Sequence, residues 1–196
     1  MKIIGGKYKN HKLKTRENIK YKPSTMKLRE ALFSILENFQ NKDGKYDNKL
    51  KNSLFLEPFS GSGVVGIEAF SRGAKEVTLL DIDKDNIKDI QNNLNHKFFV
   101  QYSQCFNVIN TDSTKFIPEK KYNLIFIDPP YYTDDIINII NLLHKNNVIL
   151  DNSIVIVEIA RNHMDIARHL DKFDFLELVK HKNYSKNSLL FYTYNK

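Results

Sequence analysis

Hydrophobic positions along this chain follow two different periods. Short apolar runs suit buried strands, and apolar residues spaced three and four positions apart suit amphipathic helices. From residue 54 onward the two patterns alternate. The predicted elements are strand 54–56, helix 64–72, strand 76–80, helix 84–94, a strand around Val108, strand 122–127, helix 134–144, strand 154–158 and helix 163–170. This alternation is typical of βαβ units and predicts an α/β protein with a mostly parallel, doubly wound sheet.

Two apolar runs near the end of the chain predict a final pair of strands. They cover residues 173–179 and 189–194, and the polar segment 183–187 between them suits a turn. Strands joined by a short turn pair in antiparallel fashion. We therefore expect a Rossmann-like, seven-stranded sheet that ends in a C-terminal antiparallel hairpin.

The start of the chain carries a less regular pattern. Short extended pieces at residues 2–4 and 8–13 flank Gly5-Gly6, which suits a turn. A helix should follow, with Ser24 or Thr25 as its cap. The apolar face of this helix contains Leu28, Leu32, Ile35, Leu36 and Phe39.

A polar segment separates this helix from the alternating pattern. Residues 41–52 include Gly44 and suit a linker. Domain boundaries usually fall in such segments. We predict a small basic N-terminal extension over residues 1–50 and a catalytic body over residues 51–196.

Positive charge is concentrated in the extension. The net charge is +7, yet residues 1–29 contain ten Lys or Arg and one acid, so the remainder is slightly negative. A lysine-rich proteome explains many lysines but does not explain their segregation, whereas a surface that neutralises nucleic-acid phosphates explains both. The basic residues expected to contact nucleic acid are Lys7, Lys9, Lys12, Lys14, Arg16 and Arg29.

Other classes of protein fit the composition poorly. The single cysteine, Cys105, cannot form an internal disulfide, and no leader peptide opens the chain. Apolar stretches such as 136–150 are interrupted by Asn, His and Lys before the roughly 20 residues that a membrane span requires. We expect a soluble cytoplasmic protein with no membrane partner and no metal.

The first candidate site joins the first predicted strand to its helix. This segment, residues 57–63, has the sequence EPFSGSG. Ligands bind at this place in open α/β sheets, and Gly61 and Gly63 let the backbone approach a ligand closely. With Gly66 the segment matches G-x-G-x-x-G. That pattern does not separate a nicotinamide dinucleotide from S-adenosylmethionine, and a plain tight turn also uses glycine.

Acidic residues follow the next two predicted strands. Asp81 ends the second strand, where a carboxylate can accept both hydroxyl groups of an adenosine ribose. Asp83 is better explained as the cap of the next helix. Asp112 and Ser113 follow the third strand, where they either contact an adenine or are ordinary loop residues.

The most specific signal is Asp128-Pro129-Pro130-Tyr131, directly after strand 122–127. Two prolines remove two backbone donors, which leaves nearby carbonyl oxygens free to accept hydrogen bonds from a substrate amine. Asp128 offers another acceptor, and Tyr131 offers a face on which a base can stack. Acceptors around an exocyclic amine localise its lone pair and aim it at a methyl sulfonium. The tetrad predicts methyl transfer to a base amine, against the alternative of a rigid turn.

Over nearly its whole length the chain resembles the RsmD-type ribosomal RNA guanine-N2 methyltransferases. The segments that carry the resemblance are 3–6 (IIGG), 12–13 (KL), 23–25 (PST), 29–33 (REALF), 59–63 (FSGSG), 68–69 (EA), 71–74 (SRGA) and 128–131 (DPPY). The resemblance implies a class I methyltransferase fold and S-adenosylmethionine as the methyl donor. It also implies a guanine of small-subunit ribosomal RNA as target, within an assembled or assembling particle.

The resemblance also implies roles for individual residues. The glycine loop would hold the methionine part of the cofactor, Asp81 its ribose and Asp112 its adenine side, while the tetrad would hold the target base. Expected cofactor contacts are Glu57, Phe59, Gly61, Gly63, Asp81, Asp112 and Ser113. Two positions depart from the family pattern: Glu57 stands where Asp is usual, and Ser185 follows Tyr184 where Gly is common.

Three other functions compete with this interpretation. A DNA adenine-N6 methyltransferase would use the same tetrad, but such enzymes usually need a separate target-recognition segment. A nicotinamide-dependent oxidoreductase explains Gly61 to Gly66 but leaves the tetrad and the basic extension unexplained. A non-catalytic RNA-binding module leaves the glycine loop, Asp81 and the tetrad without a purpose.

Overall fold

The computed structural model describes residues 1–16, 24–41, 43–129 and 133–196. The helices are α1 (Met26–Glu37), α2 (Val64–Ser71), α3 (Lys84–Leu94), α4 (Thr133–Lys145) and α5 (Met164–Leu170). The strands are β1 (Phe39–Gln40), β2 (Tyr46–Asp47), β3 (Leu54–Glu57), β4 (Glu76–Asp81), β5 (Phe106–Asn110), β6 (Tyr122–Ile127), β7 (Ile149–Ala160), β8 (Leu176–Tyr184) and β9 (Asn187–Tyr194). In the described part of the chain, no helix is both long and apolar enough to cross a membrane.

Seven strands form one sheet in the order β5-β4-β3-β6-β7-β9-β8. Strands β3 to β7 pair in parallel, and β9 pairs antiparallel with both β7 and β8. This confirms the predicted α/β class and the C-terminal hairpin. The strand order reverses between β3 and β6, so the crevice at their carboxyl ends is the expected ligand site of such a sheet.

The last strands are longer than the sequence pattern predicts. Strand β7 spans Ile149–Ala160 instead of 154–158, and the connection from β8 to β9 is the two-residue turn Ser185-Lys186 instead of 183–187. The added residues are mostly exposed or half-buried, so they lack the apolar signal while still making ladder hydrogen bonds. Ser185 adopts a φ of 53°, in the left-handed region.

The N-terminal helix begins as predicted but ends earlier. Thr25 accepts a hydrogen bond from the Leu28 N–H at 3.2 Å and caps α1. Phe39 lies on β1, beyond the end of the helix. Strand β1 pairs with β2, which lies inside the segment predicted to be a linker. The extended pieces before the helix meet in a single bridge between Lys2 and Lys12 among the residues described.

Two hydrophobic clusters cover the two faces of the sheet. One packs under α4 and α5, and the other lies under α1, α2 and α3. The second cluster contains Ile3, Leu13 and Leu32 from the N-terminal part together with Phe55 and Leu79 from the sheet. The division at residue 50 stays a prediction, but residues on both sides of it share one core.

The first residues pack against the end of α2 that is remote from the crevice. Ser71 accepts from the Lys7 N–H at 2.7 Å, and its hydroxyl donates to the Gly5 carbonyl at 2.7 Å. Gly6 has a φ of 74°, and a Cβ there would lie 2.0 Å from the Ser71 carbonyl oxygen. A side chain at position 6 is therefore excluded both by backbone strain at this φ and by a steric clash with the Ser71 carbonyl.

Candidate active site at the carboxyl ends of the strands

A cleft of about 780 Å³ opens at the carboxyl ends of β3, β4, β6 and β7. Its size is that of a small-molecule or cofactor site. The predicted site residues that line it are Glu57, Phe59, Gly61, Asp81, Asp112, Ser113, Asp128 and Pro129. The structure thus brings together residues that are spread over 73 positions of the chain.

The two glycines of the loop have different tasks. Gly61 lines the cleft with a φ of 50°, and its N–H donates to Asp81 Oδ2 at 2.7 Å. Gly63 has a φ of 68°, is the N-cap of α2 and is not part of the lining. A Cβ on Gly63 would lie 2.9 Å from Ile90 Cγ1, so close packing requires glycine there.

Glu57 lies at the end of β3 and is 3% exposed. Its Oε2 accepts a hydrogen bond from the Gly66 N–H in the first turn of α2, at 2.9 Å. Burial raises the pKa of Glu57 well above its ordinary value, although the Gly66 bond opposes that rise. The carboxyl group therefore supports the helix as well as bordering the cleft.

Asp81 ends β4 and is fixed by donors from two loops. Besides Gly61, the Asp83 N–H donates to Oδ1 at 2.8 Å and the Asn86 amide donates to the same oxygen at 3.3 Å. Burial raises the pKa of Asp81, and these donors act against the rise. The predicted cap role of Asp83 is confirmed, because its Oδ1 accepts from the Asp85 N–H at 2.8 Å at the start of α3.

Asp112 and Ser113 border the cleft after β5. Asp112 accepts from the Thr114 hydroxyl at 2.7 Å and pairs with the Lys115 ammonium at 3.0 Å. These bonds lower its pKa, so the carboxylate is charged. The Ser113 hydroxyl donates to the Pro58 carbonyl and ties this loop to the glycine-containing segment.

Asp128 follows β6 and lies beside Glu158 of β7. Burial, the charges of Glu158 and Glu57, and a hydrogen bond with Glu158 together raise the pKa of Asp128 well above its ordinary range. Pro129 lines the cleft next to it. Pro130 and Tyr131, the other members of the predicted tetrad, lie outside the described residues, and their roles stay predictions.

The described lining of the cleft is strongly acidic. Its carboxylic acids are Glu57, Asp81, Asp83, Asp112, Asp128, Asp135 and Glu158, and it includes His163 but no Lys or Arg. A pyrophosphate would have no basic side chain to meet there, whereas a cationic ligand is complementary to such a surface. The parts of the chain that the structure describes contain no group of three or more His, Cys, Asp or Glu arranged to hold a metal ion.

The predicted nucleic-acid contacts divide into two groups. Lys7, Lys9, Lys12 and Lys14 are exposed. Arg16 instead pairs with Asp85 at 3.0 Å and Asp89 at 2.8 Å, which fixes the N-terminal segment along α3.

Arg29 does not fit its predicted role. Its side chain is 3% exposed and donates to Glu68 Oε2 at 2.7 Å, with further bonds to the Lys2 carbonyl. Arg72 pairs with the other oxygen of Glu68 at 2.9 Å. The prediction of a nucleic-acid contact at Arg29 is therefore wrong in this structure, because a fully buried acid needs a cationic partner.

Sequence reasoning missed several lining residues: Asn86, Asp135, Glu158, His163 and Asn187. Glu158 had a detectable signal, since it is an acid at the end of the apolar strand that follows the tetrad's strand. Asn187 had none, because it lies on β9 and reaches the cleft only through antiparallel pairing with β7.

Solved structures described as methyltransferases share this architecture. A putative methyltransferase of Escherichia coli superimposes with a TM-score of 0.79 at 25% identity, covering 100% of this chain and 98% of that one. A putative methylase of Haemophilus influenzae gives a TM-score of 0.71 at 26% identity, with the same coverage of both chains. The fold and its crevice are those of the class I methyltransferases.

The family follows from the sequence comparisons. The family model described as Conserved hypothetical protein 95 matches residues 1–193. An uncharacterised methylase of Rickettsia prowazekii is 31% identical over 100% of this chain and 98% of its own length. The ribosomal RNA small subunit methyltransferase D of Buchnera aphidicola is 34% identical over 81% of this chain and 75% of its own. The chain belongs to the family that this model describes. Its relatives named ribosomal RNA small subunit methyltransferase D confirm the RsmD-type resemblance.

Proposed function

We propose that the protein transfers a methyl group from S-adenosylmethionine to the exocyclic N2 amine of a guanine in small-subunit ribosomal RNA. The observation that carries the proposal is the acidic cleft at the strand ends, with Asp128 and Pro129 in its wall. Family membership supports a methyltransferase, and relatives named ribosomal RNA small subunit methyltransferase D support the RNA substrate.

The residues of the cleft fit S-adenosylmethionine better than a nicotinamide dinucleotide. The sulfonium and ammonium groups of S-adenosylmethionine are cationic, and the described lining offers acids without a basic side chain. We assign the ribose hydroxyls to Asp81 and the methionine part to the Gly61 loop, because both line the cleft and are joined by a hydrogen bond. Bound S-adenosylmethionine supplies an electrophilic methyl group.

Asp128 performs the central task at the substrate. Its carboxylate accepts hydrogen bonds from the base amine, aligns the nitrogen with the methyl carbon and takes up the released proton. The target base must be unpaired or turned out of its stack to reach the wall of the cleft. We assign base stacking to Tyr131 and further acceptors to the Pro129-Pro130 segment on the sequence pattern.

The basic surface supplies the contact with the RNA backbone. Lys7 and Lys9 lie near the end of α2 that is remote from the cleft, and Lys14 lies beside the last turn of α3, whereas Arg16 lies beside the first turns of α3, closer to the cleft. A substrate that touches both regions must extend along the side of the protein. That extent favours a large folded RNA or an assembling ribosomal particle, found in the cytoplasm, over a short duplex.

Methyl transfer from tritiated cofactor to small subunits from cells lacking the enzyme tests the proposal. We expect label on N2 of one guanine, located by mass spectrometry of nuclease fragments. Asp128→Ala should lower the rate about a hundredfold or more while cofactor binding persists. Asp174→Ala, an exposed acid after α5, is the matched control and should be as active as the wild type.

Other outcomes would favour the competing functions. Label on adenine N6 of DNA at a higher rate than on RNA would identify a DNA methyltransferase. Calorimetry that detects NADH binding and no S-adenosylmethionine binding would identify an oxidoreductase. Unchanged activity of Asp128→Ala would refute the assigned mechanism.

A further inference from the structure

The end of α3 that is remote from the cleft carries an aromatic surface, formed where residues 7–12 meet residues 96–102. The His11 ring lies 4.8 Å from the Phe98 ring, centroid to centroid. The first turn of α3 contains Asn86, which lines the cleft, and a helix of 11 residues is about 16 Å long. The aromatic surface is therefore a region separate from the cleft.

Two adjacent phenylalanines of this surface have opposite environments. The Phe99 ring is fully buried and packs against the Tyr8 ring at 4.8 Å between centroids. Phe98, by contrast, is 44% exposed. Its ring stacks on His96 at 5.3 Å with an interplanar angle of 18°, and it meets the His11 ring in a T-shaped contact. Phe99 thus anchors the segment, and the two histidines hold the Phe98 ring at the protein surface.

Positive charge lies next to the Phe98 ring. Residues 1–16 and 90–111 contain no Asp or Glu. The Lys97 Nζ lies over the Phe98 ring, 5.4 Å from its centre. The exposed lysines of the two segments that form the surface are Lys7, Lys9, Lys12 and Lys97. The surface is therefore both aromatic and cationic, with no carboxylate from either segment.

Unpaired RNA is complementary to both features. Its phosphates are attracted by lysines, and each unpaired base offers a face that stacks on an aromatic ring. An apolar protein partner would cover the ring but would leave the lysines without a purpose. An RNA duplex would meet the lysines, but its bases are already stacked on one another and would not cover the ring. The combination favours a single-stranded segment.

We propose that the aromatic surface binds an unpaired segment of the substrate RNA, with one base stacked on Phe98 and the adjoining phosphates on Lys97 and the lysines of residues 7–12. The identity of the RNA rests on the proposed function, and the stacking contact goes beyond it. The RNA is then held at two places, by the target base in the cleft and by a second unpaired base at the far end of α3. An RNA must present two unpaired nucleotides at this separation to satisfy both sites, which gives selectivity for one guanine.

Substitutions of Phe98 separate stacking from simple hydrophobic contact. The probe is protein-free small-subunit ribosomal RNA, and the dissociation constant is measured by filter binding. Phe98→Leu keeps an apolar side chain but removes the ring, so it should weaken RNA binding about fivefold or more. Phe98→Tyr keeps the ring and should bind as the wild type does. Val100→Ala, at another exposed apolar side chain of the surface, is the control and should change the affinity little.

Two results of this series would overturn the proposal. One is an unchanged affinity of Phe98→Leu for the RNA. The other is an equal loss in Phe98→Leu and Phe98→Tyr, because the ring would then have no role of its own. Cofactor affinity, measured by calorimetry, should equal that of the wild type in every variant, which also shows that the variants are folded.

A fluorescent reporter detects the stacked base directly. The protein contains no tryptophan, so Phe98→Trp supplies a single indole. A base stacked on an indole quenches its fluorescence, and RNA should therefore quench this variant in a saturable way. Tyr46→Trp, at an exposed aromatic residue on β2, is the control and should be quenched little. Equal quenching of both variants would show random collisions and would refute stacking at Phe98.

Salt dependence distinguishes the ring from the lysines. Lys97→Gln removes a phosphate contact and should flatten the log-log salt dependence of RNA binding by about 0.7. Phe98→Leu should leave this slope unchanged, because a stacked base releases no counterions. A slope that flattens equally in both variants would contradict the stacking contact.

Other occupants and a failure of the proposed function give different results. If a second copy of the chain covered this surface, light scattering would show a wild-type dimer and a Phe98→Leu monomer with unchanged RNA affinity, which overturns the proposal. A wild-type protein that labels no guanine N2 refutes the proposed function. The binding assays need no methyl transfer, so they decide the role of Phe98 in either case.

Discussion

The Oε2 of Glu57 accepts a hydrogen bond from the N–H of Gly66 at 2.9 Å, and this bond joins the end of β3 to the first turn of α2. The N-cap of α2 is Gly63, which has no side chain to satisfy the free N–H groups of the helix. Glu57 therefore caps the helix from the neighbouring strand. A Cβ on Gly66 would lie 2.4 Å from Leu79 Cδ2 and 3.0 Å from Glu57 Oε2, so the close packing of the helix on the sheet requires glycine at this position.

The first prediction concerns Glu57 and pH. Burial raises the pKa of Glu57, so the folded protein holds its proton more tightly than the unfolded chain does. Stability from this group is present at low pH and is lost as the pH rises through the folded pKa. Glu57→Gln should therefore reduce the decline in unfolding free energy as the pH rises above the ordinary pKa of a glutamic acid, measured by urea denaturation. An unchanged decline would contradict the assignment; some decline should remain, because the pKa of Asp128 is raised as well.

The second prediction concerns the turn between β8 and β9. Ser185 has a φ of 53°, a conformation that costs a residue with a Cβ about 1 kcal/mol. Ser185→Gly should raise the unfolding free energy by up to about 1 kcal/mol, since the Arg161 bond to the carbonyl of residue 185 is kept. The control is Asn147, an exposed residue with a φ of 54°. Asn147→Gly should raise the unfolding free energy less, because asparagine tolerates the left-handed region. Equal gains would show that strain at Ser185 is not the cause.

The third prediction separates Arg29 from the RNA-binding surface. Arg29→Ala leaves Glu68, which is fully buried, with Arg72 as its remaining cationic partner. The loss should be about 3 kcal/mol of unfolding free energy. Lys27→Ala, two residues away on the same helix and exposed, should cost little. Thermal and chemical unfolding measure both, and a stable Arg29→Ala variant with weakened RNA binding would restore the original assignment.

The fourth prediction concerns the four exposed lysines of the N-terminal segment. Neutralising Lys7, Lys9, Lys12 and Lys14 together should weaken RNA binding, and each lost phosphate contact should flatten the log-log salt dependence by about 0.7. The affinity for S-adenosylmethionine should not change. The control is a set of four exposed lysines outside the segment: Lys51, Lys121, Lys145 and Lys172. An equal effect of both sets would mean that only net charge matters.

The fifth prediction concerns Asp81 as the ribose ligand. Asp81→Ala should weaken S-adenosylmethionine binding by roughly 1.5 to 3 kcal/mol, because hydrogen bonds to a charged acceptor are lost. Part of the loss comes from the Gly61 loop, whose N–H is released as well. Calorimetry with S-adenosylmethionine and with methionine separates the two contributions, since methionine lacks the ribose. Wild-type affinity in the variant would exclude Asp81 as a ligand.

The local pattern of the sequence was sufficient for much of the site. Asp81 and Asp128 follow apolar runs, and the carboxyl ends of parallel strands meet at one edge, so their convergence could be predicted. The Thr25 and Asp83 caps were predictable for a similar reason, since each acts on an N–H two or three residues away. These features depend on neighbours in sequence and on the parallel arrangement of the strands.

Only the tertiary structure decided the partners of the remaining polar groups. Arg29 meets Glu68 across 39 positions, and Asn187 meets Glu158 across 29, through contacts that the pairing and packing of elements create. A positive charge near the start of the chain suggested RNA, but the basic residue that enters the core is the one whose helix faces a buried acid. Sequence spacing sets which side of an element a residue occupies, whereas burial and partner choice depend on what packs against that side.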